Sequence, residues 1–119
     1  MDWLKIINSH VMWKQRLLEH MEGKSQEKLD PAIIRRDDLC ELGKWLYTDG
    51  QAYEQTEHFT LVKDNHAHFH AFAAKVVELI DAGDHSAARN LLNGEYAKIS
   101  RQLQLRLSGM AQATGTSTA

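Results

Sequence analysis

The chain has 119 residues, and its 14 Lys and Arg against 16 Asp and Glu give a formal net charge of −2. This balance provides no basic surface for neutralising phosphates, so we predict no nucleic-acid binding. The single cysteine excludes an internal disulfide framework and indicates a reducing compartment. Seven histidines are many for so short a chain, and His66, His68 and His70 fall within five positions.

The N-terminal segment carries no targeting signal that we recognise. Residues 1–8 lack the basic region and apolar core of a signal peptide. No apolar run approaches the roughly 20 residues that a membrane-spanning helix requires. The sequence therefore predicts one globular domain in the cytoplasm, without membrane insertion.

Helical periodicity begins near the N-terminus. Over residues 3–21, side chains that predict one buried face recur every three or four positions: Trp3, Ile6, His10, Trp13, Leu17 and Met21. Gly23 is placed to end this helix. A polar connector over residues 24–36 contains the turn signal Asp30-Pro31. A second, shorter helix is predicted from Asp38, which resembles the N-cap of a capping box.

Two longer helices are predicted in the second half. The third covers residues 53–81, and its apolar side carries Val62, His66, Phe69, Ala73, Val76, Val77 and Ile80. The fourth covers residues 86–107. Four amphipathic helices with short connections predict an all-α fold, an antiparallel four-helix bundle with a shorter second helix. We assign residues 1–107 to the bundle and residues 108–119 to a flexible tail or linker.

The histidines on the predicted buried faces indicate a metal site. His66 and His70 are four residues apart, so both imidazoles lie on one helix face and can bind one metal ion. His10 lies on the apolar stripe of the first helix. Cys40, expected in the first turn of the second helix, is a plausible fourth ligand, because the helix N-terminus favours a thiolate. Three imidazoles and one thiolate form a donor set suited to zinc.

Simpler interpretations exist for each residue. A pair of histidines at this spacing occurs by chance on solvated helix faces, and a lone cysteine is often a small buried hydrophobe. His10 alone would more often be a hydrogen-bonded core residue. His68 is expected to face solvent, and His20 to interact with a helix C-terminus. Nothing in the pattern around His58 and His85 indicates a function.

Three motifs add a family resemblance. His10-Val11-Met12-Trp13-Lys14, the segment from Cys40 to Tyr47 (CELGKWLY) and His66-Ala67-His68-Phe69-His70 resemble the motifs of the chemoreceptor zinc-binding (CZB) domain family, in the same order. The resemblance covers roughly residues 3–107. It implies a cytoplasmic four-helix bundle, commonly dimeric, that binds zinc through the positions of His10, Cys40, His66 and His70. It also implies attachment to a signalling output, such as a chemotaxis receptor or a diguanylate cyclase.

We therefore expect a non-enzymatic zinc sensor, with redox sensing through Cys40 as a linked function. A homodimer is expected, with Trp3 and the Leu103–Leu107 region as apolar residues left to cover. One alternative is a metalloenzyme, but four protein ligands leave no open position and no HExxH motif is present. The other alternative is a dimerisation bundle in which zinc serves stability alone.

Overall fold

The computed structural model describes residues 1–115, and within that range it is helical without β-strands. The all-α prediction is therefore confirmed. The molecule is elongated, with principal extents of 44 × 24 × 23 Å. Its elements are α1 (Trp3–Val11), α2 (Trp13–Met21), α3 (Pro31–Ile34), α4 (Glu41–Leu46), a 3-10 helix (Asp49–Tyr53), α5 (Glu57–Asp81), α6 (His85–Asn93) and α7 (Glu95–Ala113). No helix within the described residues is both long and apolar enough to cross a membrane.

Local sequence signals define several helix ends. The side chains of Asp2, Thr56 and Asp84 accept hydrogen bonds from the backbone amides three residues later, which caps α1, α5 and α6. Gly23 and Gly83 follow α2 and α5 with φ angles of 71° and 82°, a conformation that glycine adopts without strain. These turns allow the long helices to reverse direction and pack on one another.

The 25-residue helix α5 is the central element. It packs against α2, α3, α6 and α7, and α1 in turn packs against α2 and α7. The buried side chains of these helices form one hydrophobic cluster. Three long helical segments thus correspond to three of the predicted helices. The short helix α4 occupies the place predicted for the second, whereas α3 lies within the predicted connector.

Two of the predicted helices are interrupted. The first is divided at Met12, which keeps helical dihedral angles and whose amide still donates to the carbonyl of Asn8, so the chain direction changes little. The fourth is divided at Gly94, whose φ and ψ angles are both −104°. Because a glycine tolerates dihedral angles far from the helical region, this position separates α6 from α7.

The second predicted helix begins two residues later than expected. Its N-cap is Cys40 and not Asp38, because the Asp38 carboxylate binds the guanidinium of Arg36 with two hydrogen bonds. The connector before it contains α3, with Asp30 as N-cap and Pro31 at the first helical position.

The third predicted helix begins at Glu57 and not at residue 53, after the separate 3-10 helix.

The last helix is longer than predicted. We expected it to end near Leu107, but α7 continues to Ala113 because Met110 and Ala111 pack into the core with 0% and 1% of their surface exposed. The segment proposed as a tail therefore begins with helical residues. Residues 116–119 of that segment lie outside the described part of the chain.

Candidate metal centre

Four side chains that are distant in sequence meet in the interior. His10 comes from α1, Cys40 immediately precedes α4, and His66 and His70 lie one turn apart on α5. Their potential ligand atoms all lie within 4.8 Å of one another. These are the four residues that the sequence motifs singled out. Ring contacts of His10 with His66 and Phe69 join α1 to α5 at this point, and Cys40 approaches His66 from the residue before α4.

The distances within the group suit a tetrahedral zinc ion. The Cys40 Sγ lies 3.2 Å from the Nε2 of His66, 3.6 Å from that of His70 and 4.0 Å from that of His10. The Nε2 atoms of His66 and His70 are 2.9 Å apart. Zinc–nitrogen bonds of about 2.0 Å and zinc–sulfur bonds of about 2.3 Å place tetrahedral ligand atoms about 3.3–3.6 Å apart. The distances among Cys40, His66 and His70 match these values to within a few tenths of an ångström, whereas His10 would have to move further toward the other three ligands.

Backbone carbonyls orient two of the imidazoles. The Nδ1 of His10 donates to the carbonyl of Ile6 at 2.8 Å, and the Nδ1 of His70 donates to the carbonyl of Ile34 at 2.9 Å. Both hydrogen bonds place the proton on Nδ1 and leave the Nε2 lone pair facing the centre. Such bonds from the second ring nitrogen are usual for metal-binding histidines, since they fix tautomer and ring orientation.

His66 differs from the other two histidines. Its side chain is fully buried, and its Nδ1 has no hydrogen-bond partner among the described residues. The ring is held by packing, with the His10 and His70 rings edge-on at centroid distances of 5.2 and 4.5 Å. A buried nitrogen without a hydrogen-bond partner lowers the stability of the fold. His66 nevertheless occupies this position, where it provides the third imidazole of the group.

The environment keeps the imidazoles neutral. Burial lowers the pKa of His10 to about 4, although its hydrogen bond to Ile6 opposes the shift. Burial, followed by the charges of His70 and His10, lowers the pKa of His66 to about 2. Burial also lowers the pKa of His70. Neutral imidazoles are the form that binds metal, so near pH 7 these ligands need lose no proton.

Cys40 lies at the edge of the group and is only partly buried. As the N-cap of α4 its sulfur accepts a hydrogen bond from the amide of Gly43 at 3.4 Å. Burial nevertheless raises the pKa of the Cys40 thiol, and this outweighs the hydrogen bonds that lower it. The expected preference for a thiolate is therefore wrong for the side chain by itself. A bound divalent cation would supply the charge that favours the thiolate.

Gly43 allows the backbone before the cysteine to approach α4 closely. A Cβ atom at this position would lie 1.8 Å from the carbonyl oxygen of Asp37. The Trp45 ring covers a different glycine, Gly50, where a Cβ atom would lie 2.7 Å from the ring. The glycine of the CELGKW segment thus fixes the position of Cys40.

The remaining histidines lie outside the group. His68 is exposed on the other side of α5, and His58 and His85 are also exposed. His20 binds the carboxylate of Asp81 at 2.8 Å and so joins α2 to α5. Sequence reasoning missed the carbonyls of Ile6 and Ile34. Helical spacing could have indicated Ile6, which lies four residues before His10, but no side-chain pattern marks the carbonyl of Ile34.

The tryptophans of the first two motifs, Trp13 and Trp45, have different surroundings. Trp13 lies in the wall of a cavity beside His10, and the guanidinium of Arg16 stacks on its ring at 3.6 Å. Trp45 packs edge-on against Trp3, with ring centroids 5.0 Å apart, and stacks with Tyr53. Trp13 therefore borders the site, whereas Trp45 anchors α4 to the N-terminus of α1.

Comparisons with known proteins agree with this geometry. The sequence profile described as chemoreceptor zinc-binding domain (CZB) matches residues 10–77, which is more than half of the chain and includes all four clustered residues. No curated protein and no solved structure gives a significant match. Zinc is the metal that this family binds, and the cluster suits it. The chain belongs to the chemoreceptor zinc-binding domain family, whose members are zinc-binding signalling domains.

Proposed function

We propose that this domain is a regulatory zinc sensor and that its ligands are His10, Cys40, His66 and His70. The observation that carries the proposal is the convergence of four ligand atoms within 4.8 Å, three of them on buried imidazoles. The Nδ1 hydrogen bonds of His10 and His70 support it, because they aim both Nε2 atoms at the same point. When bound, zinc would supply a positive charge that joins the four side chains.

Sensing requires that zinc favour one arrangement of the helices over another. The proposed ligands come from three elements, and Cys40 is both a ligand and the N-cap of α4. Occupancy would therefore tie the start of α4 to α1 and α5. The family's description as a chemoreceptor domain supports a chemotaxis receptor in the cytoplasm as the regulated output. A diguanylate cyclase is the other output that the resemblance of the motifs implies. We propose no catalytic role, since four protein donors leave no open coordination position.

Redox sensing through Cys40 is a linked proposal. Among the four ligands Cys40 is the one that is not fully buried, so an oxidant reaches its sulfur most easily. Oxidation to a sulfenic or higher acid would remove the thiolate donor and weaken zinc binding. The same site would then report either the supply of zinc or the presence of an oxidant.

Metal analysis tests the assignment of the ligands. Protein purified without chelators is expected to contain one zinc ion per chain. His66→Ala and Cys40→Ala should each lower zinc affinity by at least about 100-fold, because each removes a ligand from a tetrahedral site. Competition with a metallochromic indicator measures this affinity.

His68→Ala is the matched control, since it lies on the same helix between two proposed ligands but is exposed. It should retain zinc with wild-type affinity. Stoichiometric, tightly bound zinc in both His66→Ala and Cys40→Ala would show that the ligand assignment is wrong.

We also propose a homodimer, although only part of the surface expected to support it is exposed. Trp3, Leu103 and Leu107 are buried within the chain itself, with at most 2% of their surface exposed. Leu4 on α1 and Leu105 on α7 are 61% and 73% exposed, and these two helices pack together. Exposed leucines on neighbouring helices support a contact with a second copy. Sedimentation equilibrium of the wild type and of Leu4→Lys/Leu105→Lys tests it.

A further inference from the structure

A cavity of about 410 Å³ opens onto the proposed metal centre from the side of Cys40. His10, Cys40 and His70 form part of its wall, whereas His66 does not. Much of the rest of the wall comes from α2, from the segment before α3 and from α3 itself. A cavity of this size accommodates a small organic molecule and is far larger than an ion or a single water requires.

The charged side chains around the cavity carry both signs. Arg16, Lys28 and Arg36 contribute positive charges, and Asp30 and Glu41 contribute negative charges. Two of the cations already have partners, because Arg16 pairs with Glu27 and Arg36 with Asp38. Lys28 forms no ion pair with any other described residue. A ligand that carries both a carboxylate and an ammonium group therefore complements this wall better than an ion of a single sign.

Cys40 is the member of the proposed site that a molecule in this cavity reaches most easily. The three histidines are at most 4% exposed, whereas Cys40 is only partly buried. His66 and His70 also belong to the long central helix, while Cys40 precedes a helix of six residues. Moving the Cys40 side chain therefore disturbs less packing than moving either histidine of α5.

We propose that this cavity binds a low-molecular-weight amino-acid thiol, with both carboxylate and ammonium groups, and that this thiol exchanges with Cys40 at the zinc site. In the exchange, Cys40 would release the metal and take the proton that the incoming thiol loses. The incoming sulfur would take over as donor in place of Cys40, and no electron would be transferred. The inference rests on the proposed zinc site and adds to it a ligand class and a route for metal exchange.

Zinc-release kinetics test this inference, with free cysteine as the probe and 2-mercaptoethanol as a thiol without the two charged groups. At a fixed excess of a metallochromic indicator, the rate of zinc release from the wild type should rise linearly with cysteine concentration. Lys28→Glu should lower the second-order rate constant for cysteine by about three- to tenfold and leave that for 2-mercaptoethanol within about twofold, because only cysteine carries the carboxylate. Ile33→Trp, a change at a half-exposed position in the cavity wall, should slow both thiols.

Lys24→Glu is the matched control, since Lys24 is exposed, near in sequence to Lys28 and outside the cavity wall. It should release zinc at the wild-type rate with either thiol. Release that does not depend on thiol concentration, or equal effects of Lys28→Glu and Lys24→Glu, would overturn the inference while leaving the zinc site intact. A wild-type protein that binds no zinc would overturn both the site and the exchange route.

Discussion

At the scale of single residues, the imidazoles and the thiol of the proposed site differ in whether they already have the protonation state that binds metal. Burial lowers the pKa of His10 to about 4 and that of His66 to about 2, so both are neutral near pH 7. Burial raises the pKa of the Cys40 thiol, so this group keeps its proton in the absence of a cation. Binding of zinc near neutral pH should therefore release the proton of Cys40 and none from the histidines.

The lowered histidine pKa values also determine how the metal-free protein responds to acid. Unfolded imidazoles bind protons near pH 6.5, whereas the folded His10 and His66 do so only at about 4 and about 2. As pH falls below about 6.5, the unfolded chain binds more protons than the folded one, so the free energy of unfolding falls. The slope is about 1.4 kcal/mol per pH unit for each such imidazole. Urea unfolding in the presence of EDTA, from pH 7.5 to pH 5, measures it.

Leucine binds no proton in the folded or the unfolded chain. His66→Leu should therefore lower the difference in bound protons between the two states by about one, and the dependence of the free energy of unfolding on pH should become shallower. Equal slopes for His66→Leu and the wild type would show that His66 is protonated in the folded state at these pH values.

At the scale of elements, the short helix α4 connects the proposed metal centre to the hydrophobic core. Its N-cap is the Cys40 sulfur, and its buried residues include Leu42 and Leu46. Gly43 holds this helix against the preceding backbone, because any larger side chain would overlap the carbonyl of Asp37. The position of the sulfur thus depends on a backbone contact three residues away.

Gly43→Ala should therefore lower both stability and zinc affinity. The added methyl group must displace backbone, and overpacking of this kind costs about 1–3 kcal/mol. Urea midpoints with and without zinc, together with indicator competition, measure the two effects. Gly109→Ala is the control, because its Cβ would meet only the exposed ring of His58 at 3.1 Å. A Gly43→Ala protein as stable as Gly109→Ala would contradict the close approach.

The sequence predicted the buried faces of the helices better than it predicted the helix ends. Helical periodicity indicated the long helices and the faces on which His10, His66 and His70 are buried. It could do so because the spacing of buried apolar side chains marks both the helix and its inner face. The N-cap was misplaced because Arg36 binds the Asp38 carboxylate, an interaction that no capping motif shows. The helix end near Leu107 was wrong because small and polar residues conceal the buried Met110 and Ala111.

At the scale of the whole molecule, the core does not depend on metal for its continuity. One cluster of buried apolar residues extends through all the long helices, and the proposed metal-binding group is a set of polar side chains buried within it. The Nδ1 atoms of His10 and His70 are already hydrogen-bonded to backbone. A fold with this much apolar burial should persist when zinc is removed, which distinguishes a sensor from a site that serves stability alone.

Removal of zinc by EDTA should therefore leave the far-ultraviolet circular dichroism of the helices nearly unchanged while lowering the melting temperature. Zinc at 1,000 times its dissociation constant would add about 4 kcal/mol to the free energy of unfolding by mass action alone. Loss of most of the helical signal at 25 °C on adding EDTA would instead favour the purely structural interpretation.

The arrangement of the described chain ends has a mechanical consequence. Met1 and Thr114 line the same small pocket, together with Trp3 and Trp45, so both ends lie on one side of the molecule. A force applied near either of these residues would therefore act beside the same two tryptophan rings. Trp45 belongs to α4, whose six residues span about 9 Å along the helix axis. Tension at the chain ends would thus reach the Cys40 sulfur along this one short helix.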